Sequence, residues 1–223
     1  MSTNLKNLFH KDTHILFIIV YYSFFCVLNI LRELMKKIVL FASGSGTNAE
    51  NIILHFKNNG IAKVTAVFSN NSNAFVLERA KNHGISTVVF TNEELKSGTI
   101  LQMLQELKPD LIVLAGFLLQ FPENIIKQFP NKIINIHPAL LPKYGGKGMY
   151  GMHVHKAVLE NKETETGITI HYVNENYDEG KMIFQQNTVI DNCTSAEAIA
   201  AKIHELEQLH FPKVIENMIK EQS

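Results

Sequence analysis

The sequence predicts an α/β fold: an open, mostly parallel twisted sheet with helices on both faces, then a late antiparallel hairpin and a long C-terminal helix. Three observations point there. Short, continuously apolar runs such as residues 38–42 and 111–115 read as strands buried on both sides. They alternate with segments whose apolar residues recur at helical spacing. After residue 150 the pattern changes to period-two alternation, the mark of an antiparallel hairpin.

Taken in order, residues 38–42 form the first strand and stop at Ser43-Gly44. Residues 48–56 set Ile52, Ile53 and Phe56 on one side, as a helix packed on a sheet requires. Residues 64–68 are a second strand, 74–83 a helix closed by Gly84, and 86–90 a third strand. Residues 94–108 read as one helix with a stripe of Leu101, Leu104 and Leu107, stopped by Pro109. Residues 111–115 make the most hydrophobic strand after residue 35; 122–129 is a short helix and 132–135 the fifth strand. This βαβα order implies parallel neighbours with helices on both faces. Residues 153–160 then form a helix, 166–173 and 181–189 the hairpin, and 194–220 the last helix, with Pro212 a place for a bend.

The chain has 223 residues, 46% of them hydrophobic and 19% charged, which suits one domain with a substantial core. Its formal net charge is zero, so no basic footprint argues for nucleic acid. Cys26 and Cys193 make no disulfide framework, and no Cys/His spacing suggests a metal. A reducing, cytoplasmic setting and small-molecule partners are expected.

The first 34 residues do not match the rest. Residues 15–31 are almost wholly apolar, at the lower limit of a membrane span (about 17–25 residues). Yet Met35-Lys36-Lys37 leads at once into a core strand, which leaves no linker to a bilayer. No small-residue cleavage site marks a signal peptide. The expectation is that residues 1–34 are an extension outside the fold, a mis-assigned start included, and that residues 35–223 are one domain without a membrane role.

Four constellations could carry chemistry. Ser43-Gly44-Ser45-Gly46-Thr47-Asn48 is a strand-to-helix turn of the kind that cradles a phosphate. The loose dinucleotide pattern of Gly44, Gly46 and Ala49 is weak, because the second strand ends in Ser69-Asn70-Asn71 without the ribose-binding acid. A single phosphate fits better than NAD; a plain turn with a Ser/Thr cap also fits. Asn135 and His137 lie two apart at a strand tip, hence on the same side of a sheet, before Pro138. A carboxamide donor and an imidazole there serve acyl transfer, which must hold a developing oxyanion and move protons. Asp178-Glu179-Gly180 is an ordinary acidic turn unless it folds back to His137, where Asp178 would orient the ring and raise its pKa. The glycine-rich loop of residues 143–151 reads as a lid or a surface loop. His153 and His155 do not share a helix face and are not read as a metal pair.

Together these stretches, with Val67-Phe68-Ser69-Asn70, Leu114-Ala115-Gly116-Phe117, Leu140-Leu141-Pro142-Lys143, His153-Val154-His155 and Thr166-Gly167, resemble the folate-dependent phosphoribosylglycinamide formyltransferases of purine synthesis. The likeness runs from Met35 to about Pro212. It implies a Rossmann-like fold and formyl transfer from 10-formyltetrahydrofolate to the amine of 5'-phosphoribosylglycinamide. It implies Gly46, Thr47 and Asn48 as phosphate binders and Glu207 as a substrate contact. Leu118, Leu119, Gln120, Phe121, Asn174, Glu175, Asn176 and Tyr177 would hold the folate, with Asn135 and Asp178. Asn135, His137 and Asp178 would be the catalytic trio, with no metal, in a monomer or homodimer. The chain departs from the family at Leu118–Phe121, where a basic residue is common, at residues 91–99, which lack a matching arginine, and in a longer loop at 145–150.

Rivals on the same fold are formyltetrahydrofolate hydrolase, which carries an extra N-terminal domain, and methionyl-tRNA formyltransferase, which is longer and basic. A non-catalytic phosphate-binding module would explain the glycine turn but not the Asn/His/Asp set.

Overall fold

The computed structural model describes residues 35–57 and 59–221; the expectations for residues 1–34 lie outside the described residues. Strand β1 (Lys36–Phe41) leads to helix α1 (Thr47–Phe56), β2 (Ala62–Ser69), α2 (Phe75–Asn82) and β3 (Ser86–Val89). Then come α3 (Asn92–Ser97), α4 (Thr99–Leu107), β4 (Leu111–Leu114), α5 (Glu123–Gln128) and β5 (Ile133–His137). Helix α6 (Met152–Glu160), the hairpin β6 (Glu165–Tyr172) and β7 (Met182–Val189), and α7 (Ala196–Glu221) complete the order.

The sheet order is β3-β2-β1-β4-β5-β6-β7. Strands β3 to β5 pair in parallel, and β5-β6 and β6-β7 are antiparallel. Alternation along β1 feeds two cores. Ile38, Leu40 and Ala42 pack with Ile52 and Phe56 of α1 and Ile203 and Phe211 of α7. Val39 and Phe41 face an aromatic cluster in which Phe41 stacks on Phe68 at 4.9 Å and meets Phe121 edge-on at 5.1 Å. Phe41 is fully buried; truncation of such a ring to alanine costs about 3–5 kcal/mol.

Two expectations change. The helix expected over residues 94–108 is two helices, because Gly98 takes φ 97 and breaks the run. Its first part starts earlier, at a capping box in which Thr91 and Glu94 satisfy each other's backbone N–H groups. Strand β5 runs on through His137, because β6 pairs Asn135 with His171 and His137 with Thr169. Helix α7 continues through Pro212.

Candidate active site

The chain winds outward from β1 to β3, then crosses to β4 and β5 on the other side of β1. Such a reversal opens a crevice at the carboxyl ends of the strands. A cavity of about 790 Å³ lies there, within the size range of small-molecule sites, about 300–1,000 Å³. Its walls come from the turn after β1, the segment after β4, the tip of β5, the loop before α6, the β6–β7 turn and one face of α7.

The turn after β1 is built for close approach. Gly46 is the N-cap of α1 at φ 76, and no side chain caps the helix. The first-turn N–H groups therefore face the cavity at the positive end of the helix dipole. Arg79 holds the turn from outside: it donates to the Ser45 carbonyl at 3.0 Å and pairs with Glu50. Ser43 locks the turn to its neighbours. Its hydroxyl donates to Asn70 at 2.7 Å and accepts from the Leu118 N–H at 3.0 Å. Asn48 reaches across to α7, donating to Glu207 at 2.8 Å and accepting from Gln208 at 2.9 Å. Glu207 thus stands beside the turn, 3.6 Å from His204, whose pKa it raises by a hydrogen bond.

Asn135, His137 and Asp178 converge. The β6–β7 turn folds back over β5 because two positions force it. Asp178 is left-handed at φ 57, which a short polar side chain tolerates, and a Cβ on Gly180 would run into the Tyr172 carbonyl. Asp178 Oδ2 lies 3.4 Å from His137 Nδ1 and accepts from the Gly146 N–H at 2.9 Å. His137 is 3% exposed, and its Nε2 donates to the Tyr144 carbonyl at 2.7 Å. That bond assigns the proton to Nε2 and leaves the Nδ1 lone pair free. Asn135 Nδ2 donates to His171 Nε2 at 3.2 Å; its 3.5 Å approach to Asp178 Oδ1 is too long for a good bond. One amide hydrogen therefore remains for a ligand.

Burial pushes the His137 pKa down and outweighs the upward effects of the Asp178 charge and the Tyr144 carbonyl. The expected upward pull of Asp178 is present, but the low-dielectric site outweighs it. Burial raises the Asp178 carboxyl; the neighbouring His171 ring, 3.5 Å away, the charge of His137 and the Gly146 N–H together reverse this and hold it below its ordinary value.

The remaining predicted residues divide. Leu118, Leu119, Gln120, Phe121, Asn174, Asn176 and Tyr177 line the cavity, as do Gly46, Thr47, Asn48 and Glu207. Glu175 is not in the wall; its carbonyl takes a hydrogen bond from Gln120 Nε2 at 2.9 Å, which ties the segment after β4 to the β6–β7 turn. Phe121 is 4% exposed and contributes its ring to the core. Two histidines were missed. His171, buried on β6, donates from Nδ1 to the Tyr172 carbonyl at 2.8 Å and so presents Nε2 to Asn135. His155 lines the cavity, is 5% exposed, and its Nδ1 has no hydrogen-bond partner. The signal for His171 is its place opposite Asn135 in the register, which only pairing reveals.

Acid should therefore destabilise this fold early. His137 and His155 both have pKa values lowered by burial from 6.5, so the unfolded chain takes up protons first as pH falls. Stability contributed by their neutral forms is complete above pH 6.5 and declines below it, down to the folded values. Asp178 acts in the same direction lower down, below 3.8. Urea midpoints should fall between pH 7.5 and 5.5, and a His137→Gln/His155→Gln variant should flatten that fall. A midpoint independent of pH over this interval would refute it.

Fold and site together define an α/β protein with a ligand crevice at a switch point and an amide–imidazole–carboxylate cluster in it. The chain belongs to the formyl transferase family, whose model matches residues 36–215. It is 37% identical over 187 residues to the chloroplastic phosphoribosylglycinamide formyltransferase of Arabidopsis thaliana, covering 80% of this chain and 64% of that protein. Against the Escherichia coli phosphoribosylglycinamide formyltransferase it is 35% identical over 184 residues, covering 80% of this chain and 84% of that one. The chain thus spans under two thirds of the plant relative and most of the bacterial one. Among solved structures, the phosphoribosylglycinamide formyltransferase of Bacillus halodurans superposes with TM-score 0.76 at 30% identity, covering 84% of this chain and 97% of that one. The Anaplasma phagocytophilum enzyme gives the same TM-score and identity over 84% and 88%. Among the described residues no helix is long and apolar enough to cross a membrane.

Proposed function

We propose that this chain transfers a formyl group from 10-formyltetrahydrofolate to the amine of 5'-phosphoribosylglycinamide, a step of de novo purine biosynthesis, in the cytoplasm. The observation that supports it most is the meeting of Asn135, His137 and Asp178 in one cavity that also reaches the Gly46 turn. The phosphate sits on the N-terminus of α1 at Gly46, Thr47 and Asn48, and Glu207 faces the glycinamide. The pterin lies between residues 118–121 and 174–177, held largely by backbone groups.

The amine attacks the formyl carbon, and the free hydrogen on Asn135 Nδ2 stabilises the oxygen as it becomes negative. His137 Nδ1 takes the proton lost by the attacking nitrogen and delivers it to the departing folate nitrogen as the C–N bond breaks. A lowered pKa keeps His137 neutral and ready to accept. Asp178 steadies the transient imidazolium.

The test measures formyl transfer to glycinamide ribotide against release of formate without acceptor. Acceptor-dependent turnover is expected. Formate release that ignores the acceptor would instead favour a hydrolase, and no turnover of either kind a binding module.

A further inference from the structure

Two groups of the proposed reacting pair are held by one short stretch of backbone. His137 Nε2 donates to the Tyr144 carbonyl at 2.7 Å, and the Gly146 N–H donates to Asp178 Oδ2 at 2.9 Å. That stretch is in a costly conformation: Tyr144 sits at φ 58, uncommon for a bulky side chain, and Gly146 at φ 95. Between them a Cβ on Gly145 would stand 3.2 Å from Asp178 Cβ and 2.5 Å from Leu141 Cδ2, so the backbone lies against the acid. The Tyr144 phenol points the other way. It donates to Glu163 Oε1 at 2.9 Å and accepts from Asn161 Nδ2 at 3.0 Å, just past α6; Lys143 meets Glu163 at 3.0 Å. Tyr144 is not part of the cavity wall.

We infer that Tyr144 is a positioning residue: its phenol, moored to Asn161 and Glu163, holds the backbone that aims His137 and Asp178 at the substrate. This rests on the reading of that pair as the reacting groups. The imidazole of His137 also feels His171, Glu207 and His155 across the cavity, so those residues stay unchanged in the test.

The experiment compares Tyr144→Phe, Glu163→Ala and Glu163→Gln in the full chain. Tyr144→Phe and Glu163→Ala should each lower kcat by about ten- to a hundredfold, the scale of a small misplacement of reacting groups, with the phosphate-substrate KM near wild type. Glu163→Gln keeps an acceptor for the phenol and should retain most activity. In the double variant the two losses should not multiply. By NMR, the His137 imidazole should titrate at lower pH in Tyr144→Phe, because the Tyr144 carbonyl that raises it has moved. Wild-type kcat with an unmoved titration would overturn the inference. The titration does not need turnover: if the wild type transfers no formyl group, the functional reading fails while the coupling is still measured.

Discussion

His137→Ala is expected to lower kcat by about a hundred- to ten-thousandfold, the range of a lost general acid–base group. The KM for the phosphate-bearing substrate should stay near wild type, because the phosphate turn belongs to β1 and α1 and makes no bond to His137. Asp178→Asn separates charge from shape. The amide oxygen can still accept from the Gly146 N–H, but the negative charge that pulls the His137 pKa upward is gone. Its kcat should fall nearly as far, and the acid limb of the kcat profile should move to lower pH. Steady-state kinetics from pH 5 to 8 reads both. Near-normal turnover in both variants would remove these residues from the reaction.

The parallel strands beside these groups were legible because burial on both faces writes itself as unbroken apolar runs, as in residues 111–114. The parallel sheet followed from strand–helix alternation, and the pair Asn135 and His137 from a two-residue spacing at a strand end; the order that opens the crevice beside β1 did not. What could not be read was long-range. Whether Asp178 turned inward depended on a left-handed Asp178 and a crowded Gly180, and neither leaves a local signature beyond "turn". His171 looked like any residue of an alternating strand until the register set it opposite Asn135. The sign of the His137 shift depended on burial, which the motif does not record. The break at Gly98 was visible as a glycine, but helix stripes on both sides masked it.

The Gly46 turn, proposed to hold the phosphate, carries the other large effect. Gly46→Ala places a methyl where Val76 already stands, with the Val76 Cα 2.7 Å away, and asks a non-glycine residue to hold φ 76. Left-handed backbone costs about 1–2 kcal/mol outside glycine, and overpacking adds about 1–3 kcal/mol. Loss of stability should therefore reach about 2–5 kcal/mol, seen as a lower urea midpoint. The Val76 N–H donates to the Gly44 carbonyl at 3.1 Å, so moving Val76 away also unseats the turn. With the first N–H groups of α1 displaced, KM for the phosphate substrate should rise by at least about tenfold. Formyl-group hydrolysis without acceptor should change less, since His137 and Asp178 stand on β5 and the β6–β7 turn. Val76→Ala should not rescue the variant, because the obstructing Cα remains. A Gly46→Ala protein with unaltered midpoint and KM would mean that neither the tight approach nor the helix terminus matters to binding.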